Sequence, residues 1–243
     1  MKTILRSKRF LTGLFSLAVL FVTAPVQTKA QVKVVGGADV VSAYVWRGVY
    51  QSGASIQPSL GLEWGGLSVG AWGSTTLGSS DFKELDVTVG YSIAGLTAAV
   101  TDYYWSGQGA SFYDHYLRTH LIEGTLSYEF GPRLPFYISW STFFAGDMDK
   151  EANGDRQYSS YFEVGYGFAL KGVDFRASVG GAPWDSPAWL IPSGDKRGFQ
   201  ISAISLKASK DIRITKNYSA SVFLRAIASP ATDDANFIVG ISF

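Results

Sequence analysis

From Ala38 to the last residue, apolar and polar side chains alternate with a period of two, in segments of about ten residues. Successive side chains of a strand point to opposite faces, so each segment predicts a strand with one greasy and one polar face. Twelve such segments can be counted, near 38–48, 55–64, 67–76, 82–93, 96–105, 119–130, 135–145, 158–170, 173–181, 199–212, 217–228 and 236–243. In the second, Ile56, Leu60, Leu62 and Trp64 oppose Gln57, Ser59 and Glu63; in the sixth, Ile122, Leu126, Tyr128 and Phe130 oppose Glu123, Thr125, Ser127 and Glu129. The first is expected to carry Val40, Tyr44 and Trp46 on the outer face, with Asp39 and Arg47 on the other. The fifth is the least regular, because Asp102 shares a face with Leu96, Ala98 and Val100, and a bulge or strand end is expected there.

The links between segments alternate in length. Gly65-Gly66, Ala94-Gly95, Gly131 to Leu134, Lys171-Gly172 and Arg213 to Lys216 are short, whereas 49–54, 77–81, 106–118, 146–157, 182–198 and 229–235 are longer. Short turns at one end and long loops at the other characterise bacterial outer-membrane barrels. A soluble sandwich would alternate too, but it would bury its apolar face in a core. Here that face is rich in rings near strand ends (Tyr44, Trp46, Trp64, Tyr91, Tyr128, Phe130, Phe168), where aromatic girdles lie at the two membrane interfaces. The expected fold is therefore all-β, a closed antiparallel transmembrane β-barrel of about 12 strands. Asn236 to Phe243 closes it by pairing with 38–48, and its terminal Phe243 sits in the girdle on the short-turn side.

The first thirty residues stand apart. Lys2, Arg6, Lys8 and Arg9 precede an apolar run from Phe10 to Val22, and Thr28-Lys29-Ala30 offers a small-residue cleavage site, so 1–30 reads as a secretory signal peptide and 31–243 as one barrel domain. Five of the 21 Lys and Arg lie in that segment, which leaves 16 against 20 acids and a net charge of −4. Such a balance argues against nucleic acid as a partner. Without any cysteine, an exported chain of this kind must rely on burial and backbone pairing rather than on disulfides.

Ser42-Ala43-Tyr44-Val45-Trp46-Arg47-Gly48-Val49-Tyr50-Gln51-Ser52, followed by Gln57-Pro58, resembles the opening signature of the TorF-like porin family of Gram-negative outer-membrane proteins. The resemblance extends more loosely through the Gly-Tyr end of the fourth segment and the closing Gly-Ile-Ser-Phe. Ala43 stands where the family carries an acidic residue, and Trp46 where Phe is common. The resemblance implies a barrel in the outer membrane more than it implies a cargo, and it marks Arg47 and Gln51 for the mouth or constriction.

On the inward face the alternation places Asp39, Glu63, Glu84, Asp86, Glu123, Glu129, Glu163 and Asp174 against Arg47, Arg176, Lys207 and Arg225. An excess of acids in a water-filled bore favours cations, so the expectation is a narrow, cation-preferring channel for passive diffusion of small solutes. Pairing of these charges across a blocked lumen, in a barrel that conducts nothing and serves structure or adhesion, is the alternative. No cofactor or metal is called for; the partners are outer-membrane lipids, the periplasmic chaperones and barrel-assembly machinery, and small solutes. An embedded lipid hydrolase could only be assembled from His115, His120, Asp114, Ser106 and Ser111, with no nucleophile elbow among them. The acidic stretch 146–155 lacks the spacing of a calcium loop and reads as an exposed polar loop. The 182–198 loop, with Trp184, Trp189, Leu190 and Ile191, could fold inward as a constriction or outward as a contact patch.

Overall fold

The computed structural model describes residues 31–78, 82–106, 112–113 and 115–243; the segment 1–30 expected to be a signal peptide, Ser111 and Asp114 lie outside them. The strands are β1 (Lys33–Val41), β2 (Tyr44–Trp46), β3 (Val49–Ser52), β4 (Ser55–Trp64), β5 (Leu67–Thr76), β6 (Lys83–Ile93), β7 (Leu96–Ser106), β8 (His120–Glu129), β9 (Phe136–Ala145), β10 (Ser160–Leu170), β11 (Val173–Ala182), β12 (Gln200–Arg213), β13 (Ser219–Ser229) and β14 (Asp234–Ser242). A one-turn helix, α1 (Tyr116–Thr119), leads into β8. Twelve of the strands close an antiparallel barrel in chain order, with β14 returning to β1, while β2 and β3 form a separate two-stranded sheet. Among the described residues no helix is long and apolar enough to cross a membrane.

The alternation predicted from sequence becomes the two faces of the wall. Leu60, Val87, Leu126, Ile138, Leu206 and Val239 are exposed on the outside. Such a belt of apolar side chains around a closed sheet fits the lipid-facing wall of an outer-membrane barrel, in which every backbone group is paired within the sheet. Trp64, Tyr128, Phe130 and Phe168 are exposed near the short-turn rim, as a girdle requires. The seam forms where expected in kind: Asp39 pairs with Ser242 and Val41 with Gly240. Phe243 N–H donates to the Ala38 carbonyl at 3.0 Å, so the terminal aromatic residue is tied into the wall.

The first strand is a correction. It runs over 33–41, not 38–48, and pairs with β4 from Lys33↔Glu63 to Val41↔Ser55. The chain then leaves the wall, and Tyr44-Val45-Trp46 pairs back on Val49-Tyr50-Gln51-Ser52. Arg47 and Gly48 make the reversal with φ of 53° and 84°, the left-handed pair that a two-residue hairpin turn needs. Only glycine fits at the second position, because a Cβ there would lie 1.7 Å from the Ser202 carbonyl oxygen. Tyr44 and Trp46 are consequently not girdle rings. The irregularity expected at Asp102 is also absent: β7 keeps register with both neighbours through that residue, and the shifts fall at Ile122/Glu123 and at Gly180/Gly181.

Candidate functional site: a plugged, half-wet bore

The hairpin β2–β3 lies inside the barrel near the long-loop rim and stops the bore. Tyr44 packs on Trp72 with ring centroids 5.5 Å apart, and Trp46 packs on Tyr103 at the same separation. Ser229 Oγ donates to the Gly48 carbonyl at 2.5 Å, which pins the hairpin tip to β13. From above, the 183–199 connection folds inward, where Trp189 and Leu190 are buried with Leu121, Phe143 and Tyr161. The same loop also faces outward: Ile191 is exposed and Trp184 lies 5.6 Å from Trp140 on the outer wall.

Arg47 is the centre of the plug. Its Nη2 lies 2.7 Å from both Glu123 carboxylate oxygens, with the two side chains only 8% and 1% exposed. The guanidinium carbon is 4.3 Å from the Trp46 ring centroid, 4.7 Å from Tyr161 and 5.6 Å from Trp189. Glu123 also accepts from Tyr103 Oη at 3.3 Å and Thr125 Oγ1 at 3.2 Å. Pairing and hydrogen bonding of this kind offset the cost of desolvating the two charges. Tyr161 reaches its place because Gly180 faces it from β11, where a Cβ would come within 2.1 Å of the Tyr161 hydroxyl oxygen.

Below the plug the inner wall becomes progressively exposed. On β8 the inward side chains pass from Glu123, buried, through half-buried Thr125 and Ser127 to exposed Glu129 at the short-turn rim. On β12 they pass from buried Ser205 through half-buried Lys207 and Ser209 to exposed Asp211 and Arg213. Two cavities border the hairpin. One, of about 350 Å³, is lined by Arg47, Glu123, Ser139, Tyr161, Glu163 and Arg225. The other, of about 370 Å³, brings Asp39 and Asp86 together with Lys207 and Arg225. Glu163 accepts from the Tyr137 hydroxyl and, at 2.8 Å, from that of Tyr161.

The sequence-predicted lining residues thus divide into three groups. Arg47, Glu123, Glu163, Lys207 and Arg225 meet around the cavities, and Gln51 lies on β3, its amide donating to the Val49 carbonyl. Glu84 and Asp86 are buried on β6, where Asp86 also borders the second cavity. Glu63, Glu129 and Arg176 line neither cavity and lie toward the short-turn rim: Glu63 pairs with Lys33 at 3.3 Å, and Arg176 lies 3.9 Å from Glu129, all well exposed. Sequence reasoning missed the inward rings of Trp46 and Tyr103, whereas Trp189 takes the inward of the two placements open to the 182–198 loop. The parity of β7 carried the signal for Tyr103, and the Arg47-Gly48 turn dipeptide carried it for Trp46.

His120 and Ser106 are engaged elsewhere and are not set against each other. His120 faces outward on β8, its Nδ1 2.9 Å from Asp102 Oδ1 and its Nε2 3.1 Å from the Phe112 carbonyl, so neither nitrogen is directed at a nucleophile. Ser106 Oγ instead donates to the Lys83 carbonyl. Tyr116 of α1 stacks over His120 and donates to Asp102; that hydrogen bond, with some burial, pushes its hydroxyl up to about 12. The acidic 146–157 loop folds on itself. Asp149 is buried and accepts from Ser159 N–H at 3.1 Å, and a hydrogen bond from Lys150 holds the Asp147 carboxyl below the usual range.

No family model, curated protein or solved structure matches this chain.

Proposed function

We propose that this chain is an outer-membrane channel of small bore for passive diffusion of small polar solutes, and that the described conformation is its closed state. The short-turn rim then faces the periplasm and the long loops face outward. One observation carries this reading: a polar bore, increasingly exposed toward the short-turn rim, ends at a stopper in which a hairpin outside the barrel ladder and the 183–199 connection pack against wall side chains. Small barrels can fill their interior with wall side chains alone. Here the inward wall positions include Ser127, Ser139, Ser205 and Ser209, and near the long-loop rim β2–β3 and the 183–199 connection add to the wall side chains Tyr103, Leu121, Phe143 and Tyr161. A stopper outside the wall can move without breaking any ladder bond of the barrel. The TorF-like resemblance falls on 42–52, the residues of that stopper, and supports the same location. Outer-membrane lipids would cover the apolar belt, periplasmic chaperones and the assembly machinery would deliver the barrel, and diffusion needs no cofactor.

A non-conducting barrel is the second reading, and the close packing of Trp46, Tyr103 and Trp189 around Arg47 favours it. Planar-bilayer recording separates the two. The wild-type barrel should be silent or open rarely, and a variant with 43–53 replaced by a short Gly-Ser linker should give stable conductance steps. Absence of steps from that variant, shown to be folded, would leave the structural reading standing.

A further inference from the structure

Three basic side chains on β11, β12 and β13 have no sufficient partner among the described residues. Arg176 sits opposite Lys207 across one ladder, and Lys207 opposite Arg225 across the next, so three cations stand side by side on the inner wall. Cβ atoms at such opposed positions are about 4.5–5.5 Å apart, where like charges destabilise a sheet. What they touch is mostly uncharged: the Arg176 guanidinium stacks 4.3 Å from the Tyr137 ring, Lys207 Nζ lies 4.0 Å from the Phe223 ring, and Arg225 Nε donates to Ser205 Oγ. Among the described residues no carboxylate comes within 4.0 Å of Lys207 or Arg225, and Arg176 has only the exposed Glu129, at 3.9 Å. The acids nearby are committed or set apart. Glu123 is taken by Arg47 and Glu163 by two tyrosine hydroxyls, while Asp39 and Asp86 line the same cavity as Lys207 and Arg225 without closing to ion-pair distance.

We propose that this cationic ladder is a binding site for a small multivalent oxyanion, of the phosphate or polycarboxylate kind, entering from the short-turn rim. Two guanidinium groups flanking an ammonium offer charge together with the forked donors that such oxygens accept. A cavity of about 370 Å³ bordered by Lys207 and Arg225 suits a small solute, not a polymer. The site runs against the cation preference that a count of inward acids implies: Glu123 and Glu163 are engaged and Glu63 and Glu129 lie at the rim, while Asp39 and Asp86 share the cavity with Lys207 and Arg225. It deepens the channel reading by naming the solute class, yet binding itself requires only a wet lumen.

The test is isothermal titration calorimetry of inorganic pyrophosphate, and separately of tricarballylate, into the folded mature protein in uncharged detergent. One site should appear with either probe, and its affinity should fall as salt is raised. Lys207→Gln with Arg225→Gln should weaken binding by about tenfold or more, the effect of removing a charge-assisted hydrogen bond. Arg176→Gln, at the exposed end of the ladder, gives a second variant that disturbs no packed core and should weaken binding as well. No binding of either probe by wild type, or unchanged binding in all the variants, overturns the site. If pyrophosphate fails to bind while the linker variant conducts, the anion site falls and the channel stands; if it binds while no variant conducts, the converse holds.

Discussion

Arg47 and Glu123, 76 residues apart, form a two-point ion pair inside the bore, with Nη2 2.7 Å from each carboxylate oxygen. A hairpin is thereby fastened to a barrel wall it shares no ladder with. Such a pair contributes little net stability over an apolar substitute, yet it is costly to break from one side.

Removing one partner should therefore loosen the plug. Glu123→Leu leaves the guanidinium buried without its anion and is expected to cost about 3–5 kcal/mol. Chemical unfolding of the barrel in vesicles would measure the global loss, and hydrogen exchange over 44–52 the local one. Arg47→Met combined with Glu123→Leu should recover much of that loss. A double variant no better than the single would mean that the ion pair is not what holds the hairpin.

How legible this was from sequence can be judged at the same residues. The alternation that gave Glu123 its inward side was read correctly along nearly all of β4–β14, because a closed sheet enforces period two on every strand. It failed at Tyr44 and Trp46, whose parity on a continued strand put them outside. A turn dipeptide inside an apparent strand was the missing cue, and the five residues 33–37 supply the length that the hairpin withdraws from the wall. The charge count is a coarser guide. Composition gives inward acids and bases equal weight, whereas partners decide which remain available, and Glu123 and Glu163 are occupied by side chains from other strands.

Trp189 closes the plug from the loop side, 6.3 Å from Trp46 and 5.4 Å from Tyr161, measured between ring centroids. Trp189→Ala should cost about 3–5 kcal/mol if the cavity it leaves does not collapse. It should also raise the accessibility of Arg47 to trypsin in the folded protein. A barrel that remains uncut at Arg47 would show that the hairpin alone seals the bore.

At the outer end of β7 the Tyr116 hydroxyl donates to Asp102 and is pushed up to about 12. A raised folded-state pKa means that the neutral phenol is favoured, so its contribution is complete below the ordinary value near 10 and is lost as the pH rises through the folded value. Ultraviolet titration of wild type against Tyr116→Phe isolates this phenol. In an Asp102→Asn background the difference signal should move back toward the ordinary value, and a midpoint that stays put would mean that Asp102 is not the cause.

Embedding in a bilayer is testable at Leu126 and its neighbour Ser127, which point to opposite faces of β8. Leu126 is exposed on the outer belt, while Ser127 lies half-buried on the inner wall. Arginine on a lipid face near the bilayer midplane costs about 2–4 kcal/mol, whereas one in a polar lumen is tolerated. Leu126→Arg should therefore destabilise the barrel in vesicles by roughly that amount. In detergent micelles, whose headgroups lie closer, the same change should cost less, and Ser127→Arg should be mild in both. Equal penalties at the two positions, or equal penalties for Leu126→Arg in vesicles and micelles, would contradict a lipid-facing belt.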